Sequence, residues 1–292
     1  ERATAEQAFN RLVIVGGVPA IGSIIGVAAL LFLVGQWLIR RKQALLDPSG
    51  ITAWSTPWDW ETVWQVLIFG FFFVGQILLP LGLSLLGQTI GFDSATLTER
   101  SRAFYILINY LLLAAGAVAV LYGSIKPYLP LPEGWFRVSL RGNWFWWGTI
   151  GYVAALPLVS LVSIVNQQIW QGKGGSNPIL PIALEGKDSV ALTIFFVTAA
   201  IAAPVFEEIL FRGFLLPSLT RYLPMWGAIG LSGLIFAIAH LSLSEVLPLT
   251  VLGMVLGFVY VRSRNLLASM LLHSLWNSVT LLSLIVLGGS AR

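Results

Sequence analysis

The sequence predicts an all-α, polytopic transmembrane helix bundle of about eight spanning helices. Three observations carry that expectation. Hydrophobic residues make up 57% of the 292 and charged residues only 10%, with a mean hydropathy of +0.84, whereas a soluble domain carries roughly 25% charge. Several apolar runs exceed the roughly 20 residues that cross a bilayer, and Leu12 to Ile39 contains no charged residue at all. The runs are also continuous, unlike the alternating ten-residue segments of a membrane barrel. The chain therefore reads as an integral, multi-pass membrane protein in contact with membrane lipids; a prokaryotic or organellar membrane is the expected location.

The segments follow in order. The first runs from about Leu12 to Ile39, the second from Val63 to Leu86, the third from Ala103 to Ser124 and the fourth from Phe145 to Trp170. The fifth starts near Val190 and runs towards Leu216, the sixth spans Leu223 to Leu241, the seventh Val246 to Val261 and the eighth Leu266 to Leu287. Asp47-Pro48-Ser49-Gly50 is a turn signal. Trp54, Trp58, Trp60 and Trp64 follow it and read as membrane-interface anchors, with Trp135, Trp144, Trp146 and Trp147 as a second such cluster. The stretch from Gly172 to Pro178 reads as a flexible loop. A division follows from it: residues 1–188 hold helices 1–4 with interfacial loops, and residues 189–292 hold helices 5–8 and the candidate chemistry.

The formal charge of +4 is small and scattered, apart from Arg40-Arg41-Lys42 directly after a span. That run reads as a cytoplasmic topology anchor, and no nucleic-acid partner is expected. It places the N-terminus outside and, with about eight spans, the C-terminus outside as well. The lack of cysteine excludes disulfides, thiolate catalysis and cysteine metal sites. The chain begins at Glu1, so it reads as processed or as a fragment, and an N-terminal part could be missing.

Ionisable groups inside apolar segments are costly and mark function by default. The fifth segment carries Glu207, Glu208 and Arg212. Glu208 and Arg212 are four apart and share a helix face, so they can pair. Glu207 then points about 100° away, its carboxylate poorly solvated, which suits a general base. A purely structural Glu–Arg pair explains Glu208 and Arg212 but leaves Glu207 without a reason. The chain has two histidines, His240 and His273, both in apolar segments of the same region, and His273 shares a face with Asn277 four residues on. A single buried histidine is usually a satisfied core residue; two of two beside two carboxylates reverse that expectation. Glu207 and His240 are equidistant from the Leu223-Pro224 turn, so an antiparallel hairpin sets them at one depth. This set suits attack of water on a peptide carbonyl. Glu207 would take the proton, His240 would hold the water, and His273 and Asn277 would donate to the oxyanion. Glu208 and Arg212 would fix the helix and tune its charge.

Glu207-Glu208-x-x-x-Arg212, Phe236-x-x-x-His240 and His273-x-x-x-Asn277 resemble the three motifs of the CAAX-protease and bacteriocin-processing (CPBP, Abi) family of Rce1-like intramembrane endopeptidases. The resemblance covers about Val190 to Leu287. It implies an all-helical, glutamate-dependent endopeptidase, often described as a metalloprotease, with Glu207 and His240 activating water, His273 and Asn277 as the oxyanion site, and Phe236 in support. Its substrate would be a peptide or membrane protein; eukaryotic relatives cleave prenylated CAAX tails, and many prokaryotic members have no prenylated substrate.

Three other readings compete. A zinc-dependent protease would use Glu207, His240 and His273 as ligands, although the glutamate mechanism requires no cofactor. A rhomboid-like serine protease would use Ser232 of Gly230-Leu231-Ser232-Gly233, but leaves Glu207, Glu208 and Asn277 idle. A non-proteolytic membrane scaffold or chaperone would keep the polar cluster as a structural network.

Overall fold

The computed structural model describes residues 2–47, 50–89, 96–171 and 186–288, excluding the side chains of residues 2–12 and 14. The loop expected from Gly172 to Pro178, and Pro48 and Ser49 of the first turn, lie outside the described residues. Within them the fold is all-α. The helices are α1 (Arg2–Arg40), α2 (Trp60–Thr89), α3 (Glu99–Ile125), α4 (Trp144–Trp170), α5 (Ser189–Leu219), α6 (Met225–Ala239), α7 (Val246–Ser263) and α8 (Leu266–Gly288). Among the described residues, seven of these are long and apolar enough to cross a membrane. The protein is an integral, multi-pass membrane protein. The exception is α6, whose 15 residues reach about 22 Å at 1.5 Å each.

Helix α4 packs against α1, α7 and α8; α5 packs against α3 and α8; α6 lies along α7. Small residues set the closest approach. A Cβ placed on Gly253 of α7 would lie 2.7 Å from the Cα of Gly233 on α6, so the two backbones cross with no side chain between them.

Local chemistry shapes α5. Its start is capped by Asp188, whose carboxylate accepts from the N–H groups of Val190 and Ala191 at 2.8 and 3.1 Å. Arg100 pairs with the same carboxylate at 3.0 Å, tying the starts of α3 and α5 together. Inside α5 the ladder widens to π-turns at Thr198–Ala202 and Ile209–Leu215. Pro204 explains a consequence of the first. In the widened ladder Ala203 donates its N–H to Thr198 O, so the carbonyl of Ala199 would need the N–H of residue 204, which proline lacks. A side chain from another helix takes that carbonyl instead, as described below. Single π-turns of this kind recur near functional sites.

The tryptophans correct one expectation. Trp54, Trp58 and Trp135 are not interface anchors; they are 5%, 1% and 8% exposed, inside the core. Residues 51–59 run beneath the end of α5 as an extended strap. Trp58 Nε1 donates to Ser218 Oγ at 3.0 Å, the Trp54 N–H to Thr220 Oγ1 at 3.3 Å, and Trp135 Nε1 to Ser55 O at 3.0 Å. Trp54 stacks on Tyr260 at 5.4 Å, with the Arg264 guanidinium 3.6 Å over its ring. Indole carries both a large apolar body and one donor, so it suits a wet interface and a polar helix end inside the protein equally well. Trp60, Trp64 and Trp146 do remain exposed on the outer surface. Trp58→Ala is expected to cost about 3–5 kcal/mol of stability, whereas Trp60→Ala should shift it by less than about 0.5 kcal/mol. Thermal unfolding of both in the same detergent checks this, and equal shifts would contradict the assignment.

Candidate active site

Three neighbouring positions on α5, Glu207, Glu208 and Arg212, divide into two faces. Glu208 and Arg212 point inward and are fully buried, with Arg212 Nη1 donating to Glu208 Oε1 at 2.7 Å. Arg212 Nη2 donates to Gly253 O at 3.0 Å, which the glycine crossing leaves accessible, and the guanidinium lies 4.4 Å over the Phe236 ring. The same Glu208 oxygen faces His273 Nδ1 at 2.9 Å. One carboxylate oxygen therefore joins α5 to α8, and its arginine joins both to α7.

Glu207 points instead into a cavity of about 480 Å³ whose lining comes from α3, α5, α6, α7, α8 and the turn after α6. Its Oε2 lies 3.9 Å from His240 Nε2 and 3.9 Å from His273 Nε2. These separations are too long for hydrogen bonds, and Oε2 has no partner among the described residues. His240 sits at the C-terminal end of α6, with its Nδ1 2.8 Å from Phe236 O. A carbonyl only accepts, so Nδ1 carries the proton and Nε2 presents a lone pair in the neutral ring. His273 is constrained alike: Nδ1 donates to Glu208, and Nε2 faces the cavity. Phe236, fully buried, stands edge-on to both imidazoles at 4.7 and 5.6 Å, with the Arg212 guanidinium over its ring.

Asn277 also lines the cavity, and its Nδ2 donates to Ala199 O at 2.8 Å, the carbonyl stranded by Pro204. One of its two N–H groups thus holds α8 to α5, leaving the other for a ligand. Ser232 is placed differently. It is 1% exposed, its hydroxyl donates to Phe211 O at 3.2 Å, and it does not line the cavity. A serine nucleophile there would have no access to substrate.

The residues sequence reasoning missed lie chiefly on α3. Tyr110 lines the cavity, with its hydroxyl 3.5 Å from Glu207 Oε1 and from Ala203 O. The signal available was a phenol in mid-span, which needs a polar partner when buried. Tyr110→Phe is expected to slow turnover about 2–10-fold, the worth of one neutral hydrogen bond, with unchanged thermal stability. An unaltered rate would reduce Tyr110 to packing.

Zinc can be tested against this geometry. The donor types suit it, but zinc ligands lie about 2.0–2.2 Å from the metal, so tetrahedral donors stand about 3.3–3.5 Å apart. The two separations of 3.9 Å are wider, and no three His, Cys, Asp or Glu side chains among the described residues converge closely enough to hold a metal.

Residues 189–279 match the family described as Type II CAAX prenyl endopeptidase Rce1-like. This stretch is similar to the Rce1-like family. All the motif residues of the site lie in it, while Tyr110 lies outside. The chain is also 25% identical over 132 residues to a Bacillus subtilis (strain 168) protein named "Putative membrane peptidase YdiL", a match covering 45% of this chain and 53% of that protein. The chain thus spans about half the length of the curated relative it matches. No solved structure matches it. At the level of the Rce1-like family, these likenesses and the buried Glu/His cluster are consistent with an intramembrane catalytic site of peptidase type.

Proposed function

We propose that this protein is an intramembrane endopeptidase that hydrolyses peptide bonds with water activated by Glu207 and His240. The observation that carries this is the convergence of Glu207 Oε2 with the Nε2 atoms of His240 and His273, 3.9 Å each, on the wall of the cavity. Two of these three atoms are lone-pair acceptors in any case, and a water molecule between Glu207 and His240 would donate to both. Either lone pair on its oxygen would then be free for the carbonyl carbon. Glu207 takes one proton as the oxygen attacks and returns it to the departing amine as the C–N bond breaks.

The oxyanion needs donors. Nδ1 of His273 is committed to Glu208, so its Nε2 donates only when the ring is doubly protonated. The Glu208 carboxylate at 2.9 Å balances that charge, and Arg212 holds Glu208 in place. The second N–H of Asn277 is the other donor. The mechanism requires no metal.

The test is cleavage of peptides by the purified protein in lipid nanodiscs, run in ¹⁸O-labelled water. Attack by water predicts one labelled oxygen in each new carboxyl group, without loss of rate on chelation. Stoichiometric zinc lost together with activity would overturn the metal-free mechanism. No cleavage, with Glu207→Gln and His240→Ala complementing a deletion as well as the parent, would establish the scaffold or chaperone reading.

A further inference from the structure

The charge of the cavity is one-sided. Beyond the two histidines, its charged lining residues are Glu207 and Glu245, and no lysine or arginine lines it among the described residues. Arg212 is close in sequence but fully enclosed, with Glu208 and Gly253 O as its partners. Glu245 ends the short turn Leu243–Glu245 and precedes α7. A glutamate there could cap its own helix, yet no such side-chain bond forms. Its carboxylate has no ion pair among the described residues and remains half-buried. The remaining wall is mainly apolar, with Ile106, Phe195, Leu249 and Leu284 among its residues.

We infer that Glu245 is a specificity residue, and that the site takes an apolar peptide segment carrying a basic side chain close to the scissile bond. This rests on the peptidase reading of the same cavity. A lysine or arginine entering beside Glu207 meets a carboxylate across a low-dielectric wall, where the pairing is stronger than at an open surface. An acidic side chain or a free carboxyl terminus meets two carboxylates and no lysine or arginine among the described residues, a juxtaposition that discriminates against it. The apolar wall accepts the flanking segment whatever its sequence.

The experiment uses Leu/Ala-rich peptides, acetylated and amidated to remove terminal charges, with one Lys, Gln or Glu stepped through the central positions. A fourth peptide keeps its free carboxyl terminus. Binding is measured to the Glu207→Gln protein in nanodiscs, with and without Glu245→Gln or Glu245→Lys, and cleavage is measured with the parent. The Lys peptide is expected to bind about tenfold more tightly than the Glu peptide. That ratio should fall to about twofold or less in Glu245→Gln and invert in Glu245→Lys. Cleavage by the parent without a Lys preference, a preference that survives Glu245→Gln, or binding of none of the peptides overturns the inference. The predicted binding pattern without cleavage leaves the specificity role standing and removes the peptidase reading.

Discussion

Glu207→Gln is expected to reduce peptide hydrolysis by about 10³-fold or more, within the 10²–10⁴ range of a lost general base, while leaving the fold intact. The side chain is 16% exposed and its Oε2 makes no hydrogen bond within the described residues, so the amide removes a charge without breaking a contact there. The two shapes are nearly equal, and Tyr110 can still donate to the remaining carbonyl oxygen. His240→Ala should act in the same direction by about 10²-fold, because it removes the acceptor that orients the water. Single-turnover rates with excess protein read the chemical step, and thermal unfolding confirms that the variants are folded. Retention of more than a tenth of the parent rate in Glu207→Gln would place the base elsewhere.

Arg212→Leu is expected to be the most destabilising single change in the site, by about 3–5 kcal/mol, the cost of breaking a buried ion pair from one side. Leucine fills part of the space over Phe236 but leaves the Glu208 carboxylate, 0% exposed, facing His273 and Ser269 without its arginine. It also removes the donor to Gly253 O, loosening the α5–α7 contact. The double variant Arg212→Leu/Glu208→Leu should recover part of the lost stability, since no unpaired charge is then buried. It should not recover activity, because His273 loses the acceptor that fixes its ring. Unfolding midpoints of both single variants and the double variant form the cycle that checks this. Strict additivity would mean that the 2.7 Å pair carries no coupling.

What the sequence made legible was mostly local. Glu208 with Arg212 could be read because residues four apart on a helix share a face. The approach of His240 to Glu207 came from counting outward from one turn. His273 could not be placed that way, since α7 and two further turns intervene before α8 begins. Tyr110 was out of reach for the same reason: α3 meets α5 through packing that no spacing encodes. The bond from Asn277 to Ala199 depends on the missing N–H of Pro204 inside a widened turn, so it becomes visible only once the ladder is drawn. The tryptophans misled because an indole beneath a helix end and an indole among lipid headgroups have the same composition signal. The helices themselves were legible because continuous apolar length is what the bilayer selects.

Helix α6 also bears on the surrounding lipid. Its 15 residues span about 22 Å, against roughly 30 Å of hydrocarbon in a typical bilayer. Non-helical backbone at that depth is tolerated only where protein or water receives its polar groups, and Ser242 and Glu245 of the turn that follows line the cavity. Lipid beside α6 must therefore thin or tilt its chains to meet a wall that stops early, at a fraction of a kcal/mol for each ångström of mismatch. On the proposed reading, the Glu207, His240 and His273 cluster would then stand next to a locally thinned bilayer, where a peptide segment leaving the lipid would have a short distance to travel to reach water.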